Sequence, residues 1–118
     1  MNVSIQNITL EMAGKRELRL FALDNGNVIG ICSVGTFGKV ASTIYQLFVT
    51  EAQRGKGIGT ALVREACARS KNAGASAISA IIEPGGPNGF WAASGFKPAH
   101  VDGQNLLVVH HFQETKEG

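Results

Sequence analysis

Only two cysteines, Cys32 and Cys67, occur in the 118-residue chain, far apart and at no metal or redox-pair spacing. Both fall in apolar runs and read as small, buried, reduced hydrophobes, with a disulfide between them as the lesser alternative. Long hydrophobic runs are missing too. No stretch approaches the roughly 18–20 apolar residues that cross a bilayer, and no signal-like apolar segment opens the sequence. Charge of one sign is scarce: 11 Lys plus Arg against 9 Asp plus Glu give a formal net charge of +2, too mild for nucleic acid as a bulk partner. His100, His110 and His111 form no metal pattern, because neighbours on a strand point to opposite faces, so no metal is expected. There are no repeats, no low-complexity tracts and no linker. A single domain over 1–118 is expected, with only QETKEG as a loose tail, in a cytoplasmic setting.

What is present is a succession of short strands around one helix. Residues 3–10, VSIQNITL, alternate as a first strand, and the short segment EMAGK after them is too brief for a helix. ELRLFALDNGNVIGICSVG is a hairpin, with Leu18, Leu20 and Ala22 alternating inward and Asp24-Asn25-Gly26-Asn27 supplying turn chemistry. Gly35 to Gly38 marks another turn. Residues 42–50, STIYQLFVT, form a strand that is apolar enough to be central. From Gly57 the period becomes helical: Ile58, Ala61, Leu62 and Ala66 share one face, and Gly74 is a natural stop. A strand over 76–83, a short helix near 87–94 stopped by Gly95, and two final strands on either side of Asp102-Gly103 complete the order. This predicts an α+β (mixed α/β) fold: a mixed sheet of six to seven strands, one long helix and one short helix.

The helix beginning at Gly57 lacks the usual start. A helix leaves its first N–H groups unpartnered, with partial positive charge at that end. Here EAQRGKGIGTAL offers no Ser, Thr, Asp or Asn cap and places Arg54 and Lys56 where acids are favoured. Glycines could merely permit a tight turn. Alternating glycines with two cations at an uncapped terminus point instead to an anion held by backbone N–H groups. The spacing is neither that of a Walker A loop nor that of a dinucleotide fingerprint.

Arg54-x-x-Gly57-x-Gly59 after the strand Ile44–Val49 resembles the signature of the GNAT N-acetyltransferase superfamily, and FWAASGF is similar to that family's short helix ending in Gly-Phe. The resemblance spans residues 16–112 in element order and 44–96 in motif. It implies that acetyl-CoA is the acyl donor, its pyrophosphate on the glycine loop and its arm between two splayed strands. Leu47, Phe48 and Val49 would offer backbone groups to that arm. Arg54, Gly55, Lys56, Gly57, Ile58, Gly59 and Thr60 would hold the phosphates. Asn88 and Trp91 complete the implied cofactor side, although Asn88 stands closer to Gly95 than the family's asparagine does.

Acetyl transfer needs a neutral amine and a donor for the developing oxyanion. The resemblance places that donor at a strand N–H near Phe48 or Val49. Glu83 is the first choice as base and Glu51 the second, each at the end of a splayed strand; an exposed strand-end acid is the competing reading. Trp91 stands where many relatives carry an acid tyrosine, and an indole N–H is no general acid near neutral pH. Tyr45 could line the acceptor side, though packing within its strand is the simpler expectation. The chain has no room between Leu10 and Leu18 for the helices that shape the acceptor pocket in relatives. That gap predicts an acceptor side that is open, completed by a second subunit or suited to a large substrate such as a protein terminus or lysine. With the apolar LLVV of the last strand it predicts a homodimer; the acceptor is expected to be an amine of a small molecule or a protein. The alternative to an N-acetyltransferase without a covalent intermediate is a catalytically silent acyl-CoA-binding or interaction module on the same fold.

Overall fold

The computed structural model describes residues 2–82, 88–103 and 105–112. They form a seven-stranded mixed sheet with strands β1 (Val3–Met12), β2 (Lys15–Asp24), β3 (Asn27–Gly35), β4 (Ala41–Val49), β5 (Ala77–Ile82), β6 (Lys97–Asp102) and β7 (Asn105–His111). Two α-helices accompany them, α1 (Ile58–Asn72) and α2 (Asn88–Ala93), and a single 3-10 turn covers Glu51–Gln53. The expected α+β class and element order are those observed.

β1 to β4 run as an antiparallel meander, with Ala13-Gly14 and Asn25-Gly26 at positive φ in the first two turns. The EMAGK segment is thus the tip of a hairpin, the positive-φ pair that a two-residue connection requires. α1 then carries the chain to β5, parallel to β4. Strand order is β1-β2-β3-β4-β5-β7-β6, so the last strand lies inside the sheet, paired on both sides. This corrects one ground for a dimer: the apolar LLVV run is occupied by β5 and β6, with Val108 buried. β6, carrying Lys97 and Pro98, takes the edge, where a missing N–H and a charge are tolerated.

Both helices lie on one face of the sheet. Leu18, Leu20, Ala22, Cys32, Val34 and Ile44 meet Leu62, Val63 and Ala66 there in a single core, to which Trp91 and Phe96 also belong. α2 is secured by Trp91, edge-on to Phe90 and Phe96 at 5.2 and 5.0 Å between ring centroids. His110 Nδ1 donates to the Gly95 carbonyl oxygen at 2.8 Å. Cys32 is buried and Cys67 half-buried, and both thiols are free.

α1 can sit close to the sheet because position 30 has no side chain. A Cβ on Gly30 would lie 3.0 Å from Leu62 Cδ1, 3.2 Å from the Phe48 carbonyl oxygen and 3.3 Å from Ile58 Cγ2. Overpacking of this kind costs about 1–3 kcal/mol. Gly30→Ala is therefore expected to lower the Tm by several degrees, checked by calorimetry; an unchanged Tm would mean that α1 shifts freely over β3.

The opposite sheet face carries no helix among the described residues. Ile8, Leu10, Met12, Tyr45, Phe48 and Ile81 are exposed on it.

Candidate active site

β4 and β5 pair only from Ala41↔Ala77 to Ile44↔Ala80; beyond that register the strands separate. The cause lies in β4. Opposite β3, Ser33 faces Gln46 while Val34 faces Ile44, so Tyr45 is an extra residue, a bulge. A bulge bends its strand and shifts which side chains face inward. Burial follows suit: Ser42 and Ile44 point to the core before it, and Leu47 and Val49 do so after it. Ser33 Oγ donates to Gln46 Oε1 at 2.8 Å on one flank of the bulge, and the Thr43 and Ser79 hydroxyls meet at 3.2 Å where the strands part. Bulge and fork coincide.

The fork exposes main-chain groups. Thr50 N–H donates to the Ile29 carbonyl, which fixes the alternation along β4. Phe48 and Gln46 turn their N–H groups to β3, whereas Leu47 and Val49 turn theirs into the gap. Val49's outward carbonyl accepts from Arg54 Nε at 3.1 Å. Backbone groups at the fork thus come from Leu47 and Val49, while Phe48 contributes its half-exposed ring.

Beside the fork stands the start of α1. Its cap residue, Gly57, has φ 84°, provides no side-chain hydrogen bond, and is followed by no acid in the first turn. Gly55 is also left-handed at φ 79°, and a Cβ on either glycine would meet nothing within 4 Å. The first intrahelical bond that closes on the cap runs from Ala61 N–H to the Gly57 carbonyl. The terminus therefore offers N–H groups and dipole to open space. A cleft of about 440 Å³ covers it, lined by Phe48, Val49, Arg54 and residues of the glycine loop. A second cleft, of about 480 Å³, fills the fork between Thr43–Leu47 and Ala80–Ile82. The two share Leu47 and Phe90, so one trough runs from helix terminus to fork.

The model of the acetyltransferase (GNAT) family matches residues 5–96. The chain belongs to that family. Among solved structures it is similar to the PaiA N-acetyltransferase from Thermoplasma acidophilum in complex with coenzyme A, with 21% identity, a TM-score of 0.76, and coverage of 81% of this chain and 61% of that one. It is also similar to an aminoglycoside 6'-N-acetyltransferase complexed with coenzyme A, at 14% identity and a TM-score of 0.79, covering 86% and 76%. A third is the N-acetylglutamate synthase from Neisseria gonorrhoeae, complexed with coenzyme A and N-acetyl-glutamate: 19% identity, TM-score 0.69, 81% and 26%. At these identities the likeness is one of fold. This chain spans 61% of the Thermoplasma enzyme's length. No curated protein matches it.

Several residues singled out in the sequence meet in the trough of this GNAT domain: Leu47, Phe48, Val49, Arg54, Gly55, Gly57, Ile58, Gly59 and Thr60 around the terminus, and Trp91 at the fork. Lys56 turns its Nζ toward Gln53 Oε1 at 3.4 Å, leaving its backbone to the loop. Glu51 lines neither cleft; it opens the 3-10 turn whose last residue, Gln53, lines the terminus cleft, and its carbonyl accepts from the Arg54 N–H at 3.2 Å. Glu83 and the side chain of Asn88 lie outside the described residues.

Tyr45 packs against its strand neighbours, its ring over Gly35 of β3, and also lines the fork. It is 51% exposed and donates its hydroxyl to Glu17 Oε2 at 3.0 Å. Alternation from buried Ile44 already turns Tyr45 outward, and the bulge keeps Gln46 on the same exposed face before Leu47 returns to the core; the three-residue step from Ile44 to Leu47 is the sequence signal of that shift.

Burial pushes the Cys32 thiol up to about 12, with Cys67 nearby adding to the shift, and burial alone pushes Cys67 up to about 11. Both stay protonated at neutral pH, so neither supplies a thiolate to accept an acyl group. Among the described residues there is no cluster of metal-ligating side chains, and no helix is long and apolar enough to cross a membrane.

Proposed function

We propose that this GNAT domain is an acetyl-CoA-dependent N-acetyltransferase that transfers acetyl directly to an amine. One observation carries the reading: a fork with unpaired strand backbone opens into the same trough as an uncapped, glycine-lined helix terminus. The donor's pyrophosphate fits the terminus, where open space above Gly55 and Gly57 admits it close to N–H groups. Its amide-bearing arm fits the fork, completing the ladder through Leu47 and Val49 as a strand would. Leu47 N–H, nearest the bulge, is the oxyanion donor in this reading. Phe90 and Trp91 wall the arm on the α2 side, with Asn88 on the same helix. Residues 1–118 act as one domain in the cytoplasm. The bare sheet face, with Ile8, Leu10 and Met12 exposed, supports a homodimer, which a mass measurement across a wide concentration range tests; a constant monomer mass removes it.

Glu83 directly follows Ile82, the last residue of β5, in the sequence. In this reading it takes the amine's proton, directly or through water, before nitrogen attacks the thioester carbon. Formation of the C–N bond and loss of the C–S bond then release coenzyme A. General-base loss typically costs 10²–10⁴-fold. Glu83→Gln is expected to lower kcat at least about 100-fold on an amine panel, followed by thiol release; full turnover would remove Glu83 from the mechanism.

One observation favours the silent-module reading. Trp91, packed between Phe90 and Phe96 and only 6% exposed, offers the fork no hydroxyl. Tight acyl-CoA binding with no thiol release from any amine would establish that reading instead.

A further inference from the structure

Tyr45 belongs to two cavities at once. On one side it lines the fork. On the other it closes a groove of about 370 Å³, walled by Lys15, Arg16 and Glu17 at the start of β2 and by Thr36 and Lys39 of the β3–β4 connection. The groove is firmly built. Phe37 N–H donates to the Arg16 carbonyl at 3.1 Å, tying the connection to β2, and Thr36 Oγ1 donates to the Ala41 carbonyl at 2.8 Å. The Arg16 guanidinium is already engaged over the Phe37 ring, 5.5 Å from its centroid, on the helix-bearing side. Lys15 and Lys39, both exposed, have no ion-pair partner among the described residues.

Glu17 is the groove's one acid among the described residues, and it faces the fork through Tyr45. Its other contact is Arg19 at 3.4 Å, an exposed pair that an incoming cation displaces at little cost. An ammonium group at this point meets a carboxylate on one side and an aromatic ring on the other, the combination that holds cationic nitrogen. Farther along the groove the balance reverses. Lys15 and Lys39 repel a second cation and attract an anion.

From this arrangement we infer that the groove beyond Tyr45 is the acceptor site, and that it selects amines bearing a carboxylate or other acidic group over simple amines and polyamines. Glu17 and Tyr45 seat the amine beside the thioester end of the trough, and Lys15 and Lys39 take the acidic end. The inference rests on the N-acetyltransferase reading for its donor, but its test separates the two.

β-Alanine, propylamine and 1,3-diaminopropane share one chain length and differ only at the far end: anionic, neutral or cationic. Turnover of each is compared on the full chain, with acetyl-CoA binding measured independently by calorimetry. The expected order in kcat/KM is β-alanine first, propylamine about tenfold lower, and diaminopropane lowest. The Lys15→Ala, Lys39→Ala double variant is expected to bring β-alanine down to propylamine while leaving propylamine turnover and acetyl-CoA affinity unchanged. Glu17→Gln is expected to raise KM for all three amines by about tenfold or more with acetyl-CoA affinity intact. Diaminopropane equal to or better than β-alanine overturns the inference. So does acetyl-CoA binding without turnover of any of the three. Failure to bind acetyl-CoA at all overturns the donor reading beneath it.

Discussion

Gly57→Glu is expected to abolish binding of acetyl-CoA while leaving a folded domain. The residue caps α1 in a left-handed conformation, with φ 84° and open space where a side chain would emerge. A glutamate there meets no steric obstacle, but it occupies a backbone region costing roughly 1–2 kcal/mol for residues other than glycine. Its charge at the positive helix end returns about 0.3–1 kcal/mol. The net loss of stability is therefore small. For the ligand the expected effect is opposite in scale: a fixed carboxylate stands where the proposed site puts the pyrophosphate, and it competes for the same N–H groups. A rise in Kd of at least about 100-fold, or roughly 2.7 kcal/mol, follows. Titration calorimetry reads it directly, with Lys71→Glu at the far end of the helix as the control that keeps its affinity. Unchanged affinity in the Gly57 variant would move the phosphates off this terminus.

Replacing the Leu47 peptide N–H by an ester oxygen is expected to lower kcat by about 10²–10³-fold, the range seen when an oxyanion donor is removed. The bulge at Tyr45 makes this a selective test. Leu47 and Phe48 are neighbours on one strand, yet the alternation sends Leu47 N–H into the fork and Phe48 N–H into the ladder with β3. The same ester at Phe48 removes a sheet hydrogen bond, a loss of about 0.5–1.5 kcal/mol in stability, and leaves turnover near normal. Acetyl-CoA affinity moves little at either position, because the donor acts on charge that develops in the reaction. Equal kinetic effects at the two positions would mean that the ester perturbs the sheet rather than the chemistry.

Much of this architecture is legible in the residues, for identifiable reasons. The strands announce themselves by alternation and by positive-φ turn pairs such as Asn25-Gly26, and α1 by its periodic face and Gly74, observed at φ 106°. The glycine terminus stands out because it breaks the local rules for starting a helix, and such conflicts mark functional positions. Three features were harder to read. The bulge depends on a one-residue mismatch between β3 and β4, visible only as the step from Ile44 to Leu47 in a run that looks uniformly apolar. The order of the last two strands is a tertiary choice, since a hairpin can join the sheet by either strand; Lys97-Pro98 carried the only edge signal. The Tyr45–Glu17 contact joins residues on β4 and β2 that no local pattern connects. Glu51 sits beside the lining residues Gln53 and Arg54 without lining either cleft itself.

Acetyl-CoA is expected to stabilise the fold by occupying the uncapped helix terminus and the strand fork as one site. Thermal unfolding of the full chain with and without acetyl-CoA tests it most directly, with ATP and NAD as controls for phosphate alone. At about 100 times its Kd the ligand adds roughly 2.7 kcal/mol, several degrees in Tm for a domain of this size. That rise is expected for acetyl-CoA, and none of comparable size for the two nucleotides. An unchanged Tm at millimolar acetyl-CoA, or an equal rise with ATP, would contradict it.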